Sequence, residues 1–370
     1  MHIILLFTYG YSLKTWEQSG ALDRELLFFK KVSSKENIKF TFVTYGDETD
    51  LNILNEFDII PIYKFIKKKK SKILNYIYSF YIPFIIKKEI VDFDIIKQNQ
   101  LLGSWIAIIL KKISNKPLFV RTGYDMYKFS IDEKKSFFVQ YLYKILTKIT
   151  LISSDIYTVS SQSDLDFLLK KFKHNSAKKI KIRPNWVNVS INNSTTKRDR
   201  HSVLNVGRLE YQKNQSEIIK ALSNTNFKLT IYGEGSMKNL LLNEAKNLGV
   251  NLNIYNNINN EKLVEVYNDF KYFVLSSIFE GNPKVLLEAM SAGCIVIVRD
   301  IANNKEIVEN GINGFLYKNQ NELNYILKNL DSEDKKLIDI SVNARKKIHQ
   351  NYSLEKSINL EIEDFNYLKL

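Results

Sequence analysis

Short apolar runs alternate with amphipathic stretches along nearly the whole chain of 370 residues. In the first half, the runs that predict strands are Ile3–Phe7, Lys39–Thr44, Phe93–Lys97, Pro117–Arg121 and Ile156–Ser160. The stretches between them that predict helices are Asp23–Val32, Ser104–Ile113 and Asp164–Phe172. Strands that alternate with helices are typical of a parallel sheet with helices on both faces.

A second series of the same kind follows in the second half of the chain. Its predicted strands are Ser202–Val206, Lys228–Tyr232, Asn251–Tyr255, Tyr272–Leu275, Cys294–Val298 and Gly314–Leu316. The helical patterns that separate most of them are Gln215–Leu222, Met237–Leu248, Glu261–Asp269 and Pro283–Met290. Two such series predict an α/β protein of two doubly wound, Rossmann-like domains that face each other across a cleft.

Changes in composition along the chain predict where these domains begin and end. Residues 188–200 are polar and lack apolar periodicity, so we expect a linker there. The N-terminal domain then covers residues 1–187 and the C-terminal domain covers residues 201–352. The tail at 353–370 is again apolar and periodic. It predicts a C-terminal helix that packs on a domain surface and could return to the N-terminal domain.

The overall composition, with 45% apolar and 25% charged residues, is ordinary for a soluble globular protein. A single cysteine, Cys294, excludes an intramolecular disulfide and fits a reducing compartment. The four histidines lie far apart and show no metal-ligand spacing, so we expect no metal. The longest apolar run, Leu101–Leu110, is about half of the roughly 20 residues that a membrane span requires. Since no signal peptide is visible either, we expect a cytoplasmic protein.

The formal net charge of +14 is concentrated in the first half of the chain, most densely in the segment 61–90. This segment interleaves basic residues (Lys64, Lys67, Lys68, Lys69, Lys70, Lys72, Lys87 and Lys88) with aromatic ones (Tyr63, Phe65, Tyr76, Tyr78, Phe80, Tyr81 and Phe84). Such a mixture is typical of a surface that contacts an anionic membrane, so we expect a protein peripheral at the inner face of the membrane. A solvated basic helix face over an aromatic core edge would give the same pattern. Nucleic acid is not expected as a partner, because no recognition motif is present.

The densest candidate site is the stretch from Glu280 to Glu288, which follows a predicted strand. Asn282 is a good helix N-cap and Pro283 suits the first helical position, so a helix is expected to begin there. A helix start at the carboxyl end of a strand binds anions well, and carboxylates beside it can accept hydrogen bonds from sugar hydroxyls. An N-capped helix with two solvated glutamates would show the same spacing.

Two further motifs follow the first two strands of the second half. Gly207 and Arg208 open a loop that continues to Lys213, and two cations there would neutralise a diphosphate. Gly233 and Gly235 flank a turn in which the backbone can approach a ligand. Taken singly, each motif is also compatible with an ordinary surface loop.

In this order and spacing the three motifs resemble the C-terminal domain of the glycosyltransferase family 4 enzymes, which have the GT-B fold. Those enzymes carry a Gly-Arg-Leu…Lys loop, a Gly-x-Gly turn and two glutamates separated by seven residues, as Glu280 and Glu288 are here. The resemblance is strong over about Ser202–Tyr317, and it continues in that region at Lys305–Val308 and Asn310–Leu316. It thins out before residue 90.

The resemblance implies a role for each site residue. Arg208 and Lys213 would hold the diphosphate of a nucleotide-sugar donor and stabilise its charge as the bond breaks. Glu288 would accept hydrogen bonds from the nucleotide ribose, and Glu280 would contact hydroxyls of the donor sugar. The donor site implied in this way comprises Gly207, Arg208, Lys213, Gly233, Glu234, Glu280, Gly281, Asn282 and Glu288. The family retains anomeric configuration and uses no metal and no other cofactor.

The chain also departs from the family pattern. The residues Ala302–Asn304 stand where the family often has a Gly-Gly pair. Because that loop can line the sugar subsite, the identity of the donor sugar stays open. Many members place a histidine near the ends of N-terminal strands, where this chain has Gln98–Gln100 and Arg121–Asp125. The acceptor-side candidates are therefore Gly10, Tyr11, Asn99, Tyr124 and Asp125. Asp125 would orient an acceptor hydroxyl and joins Arg208, Lys213 and Glu280 as a catalytic candidate, although an aspartate in a solvated turn would look the same.

The expected function is a retaining glycosyltransferase that moves a sugar from a nucleotide-diphosphate sugar to a saccharide acceptor. A lipid-linked acceptor in surface polysaccharide or lipopolysaccharide biosynthesis fits the basic aromatic segment 61–90. Two alternatives stay open: a nucleotide-sugar epimerase on a GT-B-like fold, and a non-catalytic saccharide- or membrane-binding protein.

Overall fold

A computed structural model describes residues 1–172, 179–188, 198–330 and 335–369. The chain divides into two compact units. The first unit contains Met1–Arg183 together with Ile358–Leu370, and the second unit contains Pro184–Ser357. Most of the linker expected at 188–200 lies outside the described residues.

Within the described residues, the sheet of the first unit has seven parallel strands in the order β3-β2-β1-β4-β5-β6-β7. These strands are β1 (His2–Leu6), β2 (Lys39–Thr44), β3 (Asp58–Pro61), β4 (Ile95–Asn99), β5 (Leu118–Arg121), β6 (Ile156–Val159) and β7 (Ile180–Ile182). The order reverses between β1 and β4, which is where ligands bind in doubly wound folds. Apolar periodicity did not predict the edge strands β3 and β7, which are only four and three residues long.

The helices of the first unit connect these strands. They are α1 (Leu13–Gln18), α2 (Leu22–Glu36), α3 (Ile62–Phe65), α4 (Lys72–Ser79), α5 (Ile82–Glu89), α6 (Ser104–Ser114), α7 (Met126–Asp132), α8 (Phe137–Ser153) and α9 (Gln162–Phe172). The basic aromatic segment 61–90 therefore forms α3, α4 and α5. Both α5 and α8 pack against α6.

The sheet of the second unit has six parallel strands among the described residues, in the order β10-β9-β8-β11-β12-β13. The strands are β8 (Asp199–Val206), β9 (Lys228–Tyr232), β10 (Asn251–Tyr255), β11 (Phe270–Leu275), β12 (Ile295–Arg299) and β13 (Phe315–Tyr317). The helices are α10 (Gln215–Leu222), α11 (Lys238–Asn247), α12 (Asn260–Asp269), α13 (Lys284–Ala292), α14 (Ala302–Ile307), α15 (Gln320–Asn329) and α16 (Lys335–Asn351). Each unit is thus a doubly wound α/β sheet, as the alternating pattern predicted.

The core of the second unit lies on both faces of its sheet. Tyr272 and Val274 on β11 point into one buried cluster, whereas Phe273 and Leu275 point into the other. This alternation follows from the two-residue period of a strand. Helices therefore cover both faces of the sheet. The order of its strands determines which loops meet at the carboxyl edge, and the reversal between β8 and β11 brings the loops after these two strands together.

The last helix, α17 (Leu354–Lys369), carries the chain from the second unit into the first. On it, Glu361 is buried and pairs with the fully buried Lys97 of β4. Asp364 has no exposed side-chain surface and accepts hydrogen bonds from Lys181 at 2.6 Å and from Arg183 at 2.8 Å. Burial lowers the pKa of Lys97, and the neighbouring Glu361 carboxylate opposes that shift.

Candidate functional site

The loop that follows β8 carries the two predicted cations. Gly207 donates a backbone hydrogen bond to Tyr232 of β9 at 3.0 Å, which fixes the loop over the sheet edge. The guanidinium of Arg208 is exposed and donates to Oε1 of Gln212 at 3.2 Å. Gln212 in turn donates to the Phe279 carbonyl at 2.9 Å, so one buried amide links the loop after β8 to the loop after β11. The periodicity and motifs did not identify Gln212.

Lys213 and Glu280 form the central ion pair of this edge. Nζ of Lys213 donates to Oε1 of Glu280 at 2.5 Å, and the two side chains are 14% and 8% exposed. The Lys213 carbonyl accepts from the Ser276 hydroxyl at 2.7 Å, which holds the lysine backbone against the end of β11. Glu280 is therefore not a solvated glutamate, because it is buried and paired with a cation.

The turn after β9 packs against the loop after β8 that carries Arg208 and Lys213. A Cβ atom at Gly233 would lie 1.9 Å from the carbonyl oxygen of Gly207, so only glycine fits. The neighbouring Glu234 is exposed and accepts from the backbone N–H of Asn257 at 3.3 Å. Its carbonyl accepts from the Leu209 backbone at 2.9 Å. This turn therefore positions the backbone of the loop that carries Arg208.

The start of α13 differs in detail from the prediction. The helix begins at Lys284 with Pro283 as its N-cap residue, and no side chain caps it, so the prediction of Asn282 as the N-cap was wrong. Oδ1 of Asn282 instead accepts from the backbone N–H of Asn185 at 2.9 Å. The side chain of Asn282 is thus bonded to Asn185, which precedes the linker region, and not to the backbone N–H groups of α13. The side-chain amide of Asn185 also donates to the Asn282 carbonyl at 2.6 Å.

Gly281 lies between Glu280 and this helix start and is buried. Its carbonyl accepts from Nδ2 of the buried Asn303 on α14 at 2.7 Å. The loop in which the chain departs from the family pattern is thus in direct contact with the site. The sequence shows Asn303 only as part of a departure from the family pattern, and its contact with Gly281 could not be predicted from it.

Glu288 is the fifth residue of α13 and is half-buried. Its Oε2 accepts from the hydroxyl of the buried Tyr267 at 3.1 Å. Burial, together with the Glu288 carboxylate, raises the pKa of Tyr267 well above its usual value, so this hydroxyl keeps its proton and remains a donor. Tyr267 holds the orientation of the Glu288 side chain.

In the first unit, the acceptor-side candidates also collect at the carboxyl edge of the sheet. The hydroxyl of Thr8, just after β1, donates to the Asn99 carbonyl at the end of β4, at 3.2 Å. Gly10 has a φ of +85°, and Tyr11, which is exposed, donates its N–H to the Thr8 carbonyl at 2.9 Å. Gly10, Tyr11 and Asn99 therefore lie where the strand order reverses.

Tyr124 and Asp125 follow β5 on the same edge. Tyr124 is partly exposed, and its ring lies 4.7 Å from that of Phe129. Asp125 caps α7 by accepting from the Lys128 backbone at 2.7 Å, and it is 1% exposed. Its other oxygen, Oδ2, is buried with no hydrogen-bond partner. Burial raises the pKa of Asp125 to about 7, so the solvated turn considered above is wrong.

No sequence motif indicated the aromatic cluster that lies at this edge. The ring of Tyr9 lies 5.0 Å from Tyr45 and 5.2 Å from Trp105, and Tyr76 of α4 lies 5.0 Å from Trp105. Burial, with smaller contributions from neighbouring tyrosines, raises the pKa of Tyr9 to about 12. Flat aromatic rings beside a strand-end loop offer an apolar surface on which a sugar ring or a lipid can pack.

Neither metal-binding groups nor membrane-spanning helices stand out in the described part of the chain. Among those residues, no three His, Cys, Asp or Glu side chains are grouped so that they could hold a metal ion. In the same residues, no helix has both the length and the apolar character needed to cross a bilayer.

Comparison with known proteins connects this geometry with a family. The sequence profile described as "Glycosyl transferases group 1" matches residues 188–347, the region that holds the ion pair and the cationic loop. The chain carries a glycosyl transferases group 1 domain. Together with the two doubly wound units, this match confirms the class predicted from the sequence, a glycosyltransferase with the GT-B fold.

Three curated relatives agree with this assignment. An uncharacterized glycosyltransferase of Methanocaldococcus jannaschii is 31% identical over 46% of this chain, which spans only 45% of that relative. The capsular polysaccharide biosynthesis glycosyltransferase CapH of Staphylococcus aureus is 28% identical over 70% of this chain and 73% of its own length. An N-acetylgalactosamine-N,N'-diacetylbacillosaminyl-diphospho-undecaprenol 4-alpha-N-acetylgalactosaminyltransferase of Campylobacter jejuni is 27% identical over 63% of this chain and 65% of its own.

A solved structure shares the fold over the full length. Anabaena HepE, solved in complex with UDP-glucose, has a TM-score of 0.74 and 16% identity, and the match covers 99% of this chain and 100% of that protein. At this identity the similarity concerns the fold.

Proposed function

We propose that this glycosyltransferase retains anomeric configuration and transfers a sugar from a nucleotide-diphosphate sugar to a saccharide acceptor. The second unit binds the donor and the carboxyl edge of the first unit binds the acceptor. A lipid-linked acceptor in surface polysaccharide or lipopolysaccharide assembly fits best, since two of the relatives named above are described by capsular polysaccharide biosynthesis and by a diphospho-undecaprenol saccharide.

The observation that carries this proposal is the buried Lys213–Glu280 ion pair beside the exposed Arg208. A cation held by a carboxylate is positioned before the ligand arrives, and a diphosphate can share it without displacing the carboxylate. Arg208 supplies a second, exposed cation with fork geometry suited to phosphate oxygens. In the transition state both cations oppose the charge that develops on the departing nucleoside diphosphate.

The remaining donor-site residues contact the sugar and the ribose of the donor. Glu280 keeps one carboxylate oxygen for hydroxyls of the donor sugar, while Glu288, oriented by Tyr267, accepts from the ribose. Gly281 and Asn282 contribute backbone N–H groups near the start of α13. Arg208 and Lys213 supply the positive charge for this chemistry, so we propose that no metal and no other cofactor is needed.

The site in the first unit receives the acceptor. The exposed Tyr11 and the partly exposed Tyr124 offer aromatic surface and hydroxyl groups, and Asp125 lies next to Tyr124 with one buried oxygen unpaired. We propose Gly10 and Asn99 as the backbone elements that shape this edge. The basic aromatic segment 61–90 places the protein at an anionic membrane surface, where a lipid-linked saccharide is found.

The test is an assay with a panel of nucleotide sugars, first by thermal stabilisation and then by transfer to undecaprenol-linked saccharides. One nucleotide sugar should raise the melting temperature, since a ligand at 100 times its Kd adds about 2.7 kcal/mol of stability. NMR of the product should show the donor's anomeric configuration.

Variants connect the activity with the site. Arg208→Ala should lower transfer by at least about 100-fold, the usual loss when one charge-stabilising donor is removed. Lys328→Ala, an exposed lysine on α15, is the matched control and should leave transfer unchanged. Unchanged transfer by both Arg208→Ala and Glu288→Ala would overturn the donor site, and conversion of the nucleotide sugar without any acceptor would indicate an epimerase instead.

A further inference from the structure

Helix α8, outside the basic aromatic segment, presents a large apolar face to solvent. Its inward side is formed by Thr147, Thr150 and Leu151, which are buried. On its outer side, Phe137 is 82% exposed and Phe138 is 67% exposed. The other exposed apolar residues of this helix are Tyr141, Leu142, Ile145, Ile149 and Ile152.

These seven side chains share one stripe of the helix surface, and the exposed Lys148 lies near its edge. At about 100° per residue, their positions fall within an arc of about 140° on the helix surface. The stripe runs along the whole helix of 17 residues, about 25 Å at 1.5 Å per residue. An exposed apolar surface of this length is unusual on a soluble domain and marks a contact with a partner or a membrane.

The charge on α8 selects among partners. The helix contains Lys144 and Lys148, both exposed, and no Asp or Glu. Helix α4 likewise contains Lys72 and no acidic residue. In a symmetric dimer through this face, the lysines of one copy would lie opposite those of the other, and this repulsion disfavours such a dimer. Anionic lipid headgroups instead complement both the lysines and the apolar stripe.

The stripe also lies on a helix that neighbours the basic aromatic segment, because α4 and α8 both contact the first turn of α6. The indole N–H of Trp105 donates to Ser79 of α4 at 2.9 Å. The neighbouring Ser104 accepts from Thr150 of α8 at 2.8 Å. Helix α4 also carries exposed apolar residues: Ile73, which is 72% exposed, and Ile77.

We propose that α8 lies in the plane of an anionic bilayer and inserts its apolar stripe among the lipids, near α4 and α5 of the basic aromatic segment. The lysines of segment 61–90 attract the protein to the surface, and the stripe of α8 retains it there by burial of apolar area. This contact lies outside the transfer site and goes beyond the proposed function, since it requires no particular donor or acceptor.

Vesicle binding by the full chain tests the proposal. The variant Phe138→Ser, Leu142→Ser, Ile149→Ser interrupts the stripe at three exposed positions. The control Leu240→Ser, Tyr325→Ser, Ile338→Ser changes three similarly exposed apolar residues of the second unit. Vesicles of phosphatidylcholine with phosphatidylglycerol are compared with vesicles of phosphatidylcholine alone.

The expected result is a loss of at least about tenfold in partition to the anionic vesicles for the α8 variant and no loss for the control. Melting temperature and stabilisation by the nucleotide sugar should match the wild type, which separates this inference from the donor site. Equal partition of the α8 variant and the wild type would overturn it. So would a wild-type dimer in sedimentation without lipid that the α8 variant abolishes, because the stripe would then be a protein interface.

Discussion

At the scale of single residues, the two units differ in how they hold their buried charges. Glu280 in the second unit has a lysine as its partner at 2.5 Å. Asp125 in the first unit has only a backbone N–H for one oxygen and nothing for the other. In the first arrangement the lysine compensates the charge of the buried carboxylate, whereas in the second, burial without such a partner raises the pKa of Asp125. These two sites therefore respond differently to substitution.

Lys213→Ala should lower both stability and donor binding. Removing one partner of a buried ion pair leaves an uncompensated charge, so the free energy of unfolding should fall by about 3–5 kcal/mol in urea denaturation. The double variant Lys213→Ala, Glu280→Gln should recover much of that stability, because the buried charge is gone, yet calorimetry should still detect no nucleotide-sugar binding. Wild-type donor affinity in the double variant would contradict the role of Lys213.

Asp125→Asn should change how stability depends on pH. The pKa of Asp125 is about 7 in the folded protein and near 4 when unfolded, so the folded state binds more protons between these values. In the wild type this group therefore lowers stability as pH rises from about 4 to 7, by up to about 1.4 kcal/mol per pH unit. In urea denaturation across this range, the free energy of unfolding of the variant should increase with pH relative to that of the wild type. An equal pH dependence of the two free energies would show that the Asp125 pKa is not raised.

At the scale of elements, the sequence was informative wherever a short apolar run is followed by an amphipathic stretch. Strands β2, β9 and β10 have the predicted bounds, as has α10. Helix α8 was not predicted, because its apolar residues occur on both its inward and its outward face and hide the helical period. The motif residues Arg208, Lys213 and Glu280 were recognisable from spacing. The contacts of Gln212 and Asn303 were not, because they depend on which loops the sheet order brings together.

Gly233→Ala should damage the donor site through the turn after β9. The new Cβ atom would lie 1.9 Å from the Gly207 carbonyl, so the loop bearing Arg208 must move. We expect loss of donor binding and a lower melting temperature. The control Gly249→Ala has a φ of +66° and nothing within 4 Å of the new Cβ atom. It should cost about 1–2 kcal/mol of stability and leave calorimetric donor affinity intact; equal donor affinity in both variants would argue against this support.

At the scale of the whole molecule, the chain is organised so that its last helix completes its first unit. The aromatic ring of Phe365 lies 6.3 Å from Phe40 and 5.7 Å from Phe119, inside the first unit's core. Lys97 is fully buried and needs Glu361 as its counter-charge. Packing of α17 is therefore part of the first unit's stability.

Asp364→Ala should destabilise the first unit. It removes the shared acceptor of Lys181 and Arg183, and the loss in the free energy of unfolding should be about 3 kcal/mol. Glu363→Ala changes an exposed acid on the same helix and should have little effect. Hydrogen exchange should show the extra opening in the strands of the first unit, and an equal loss for both variants would contradict the role assigned to Asp364.

The discontinuity of the first unit has a consequence for how the protein is made. A ribosome delivers all of Pro184–Ser357 before Ile358–Leu370 emerges. The second unit thus has its complete sequence while the first still lacks the acids that neutralise Lys97 and Arg183. In translation the first unit is begun before the second unit and completed after it, so a nascent chain stalled before residue 358 should expose an incomplete first unit to proteases and chaperones.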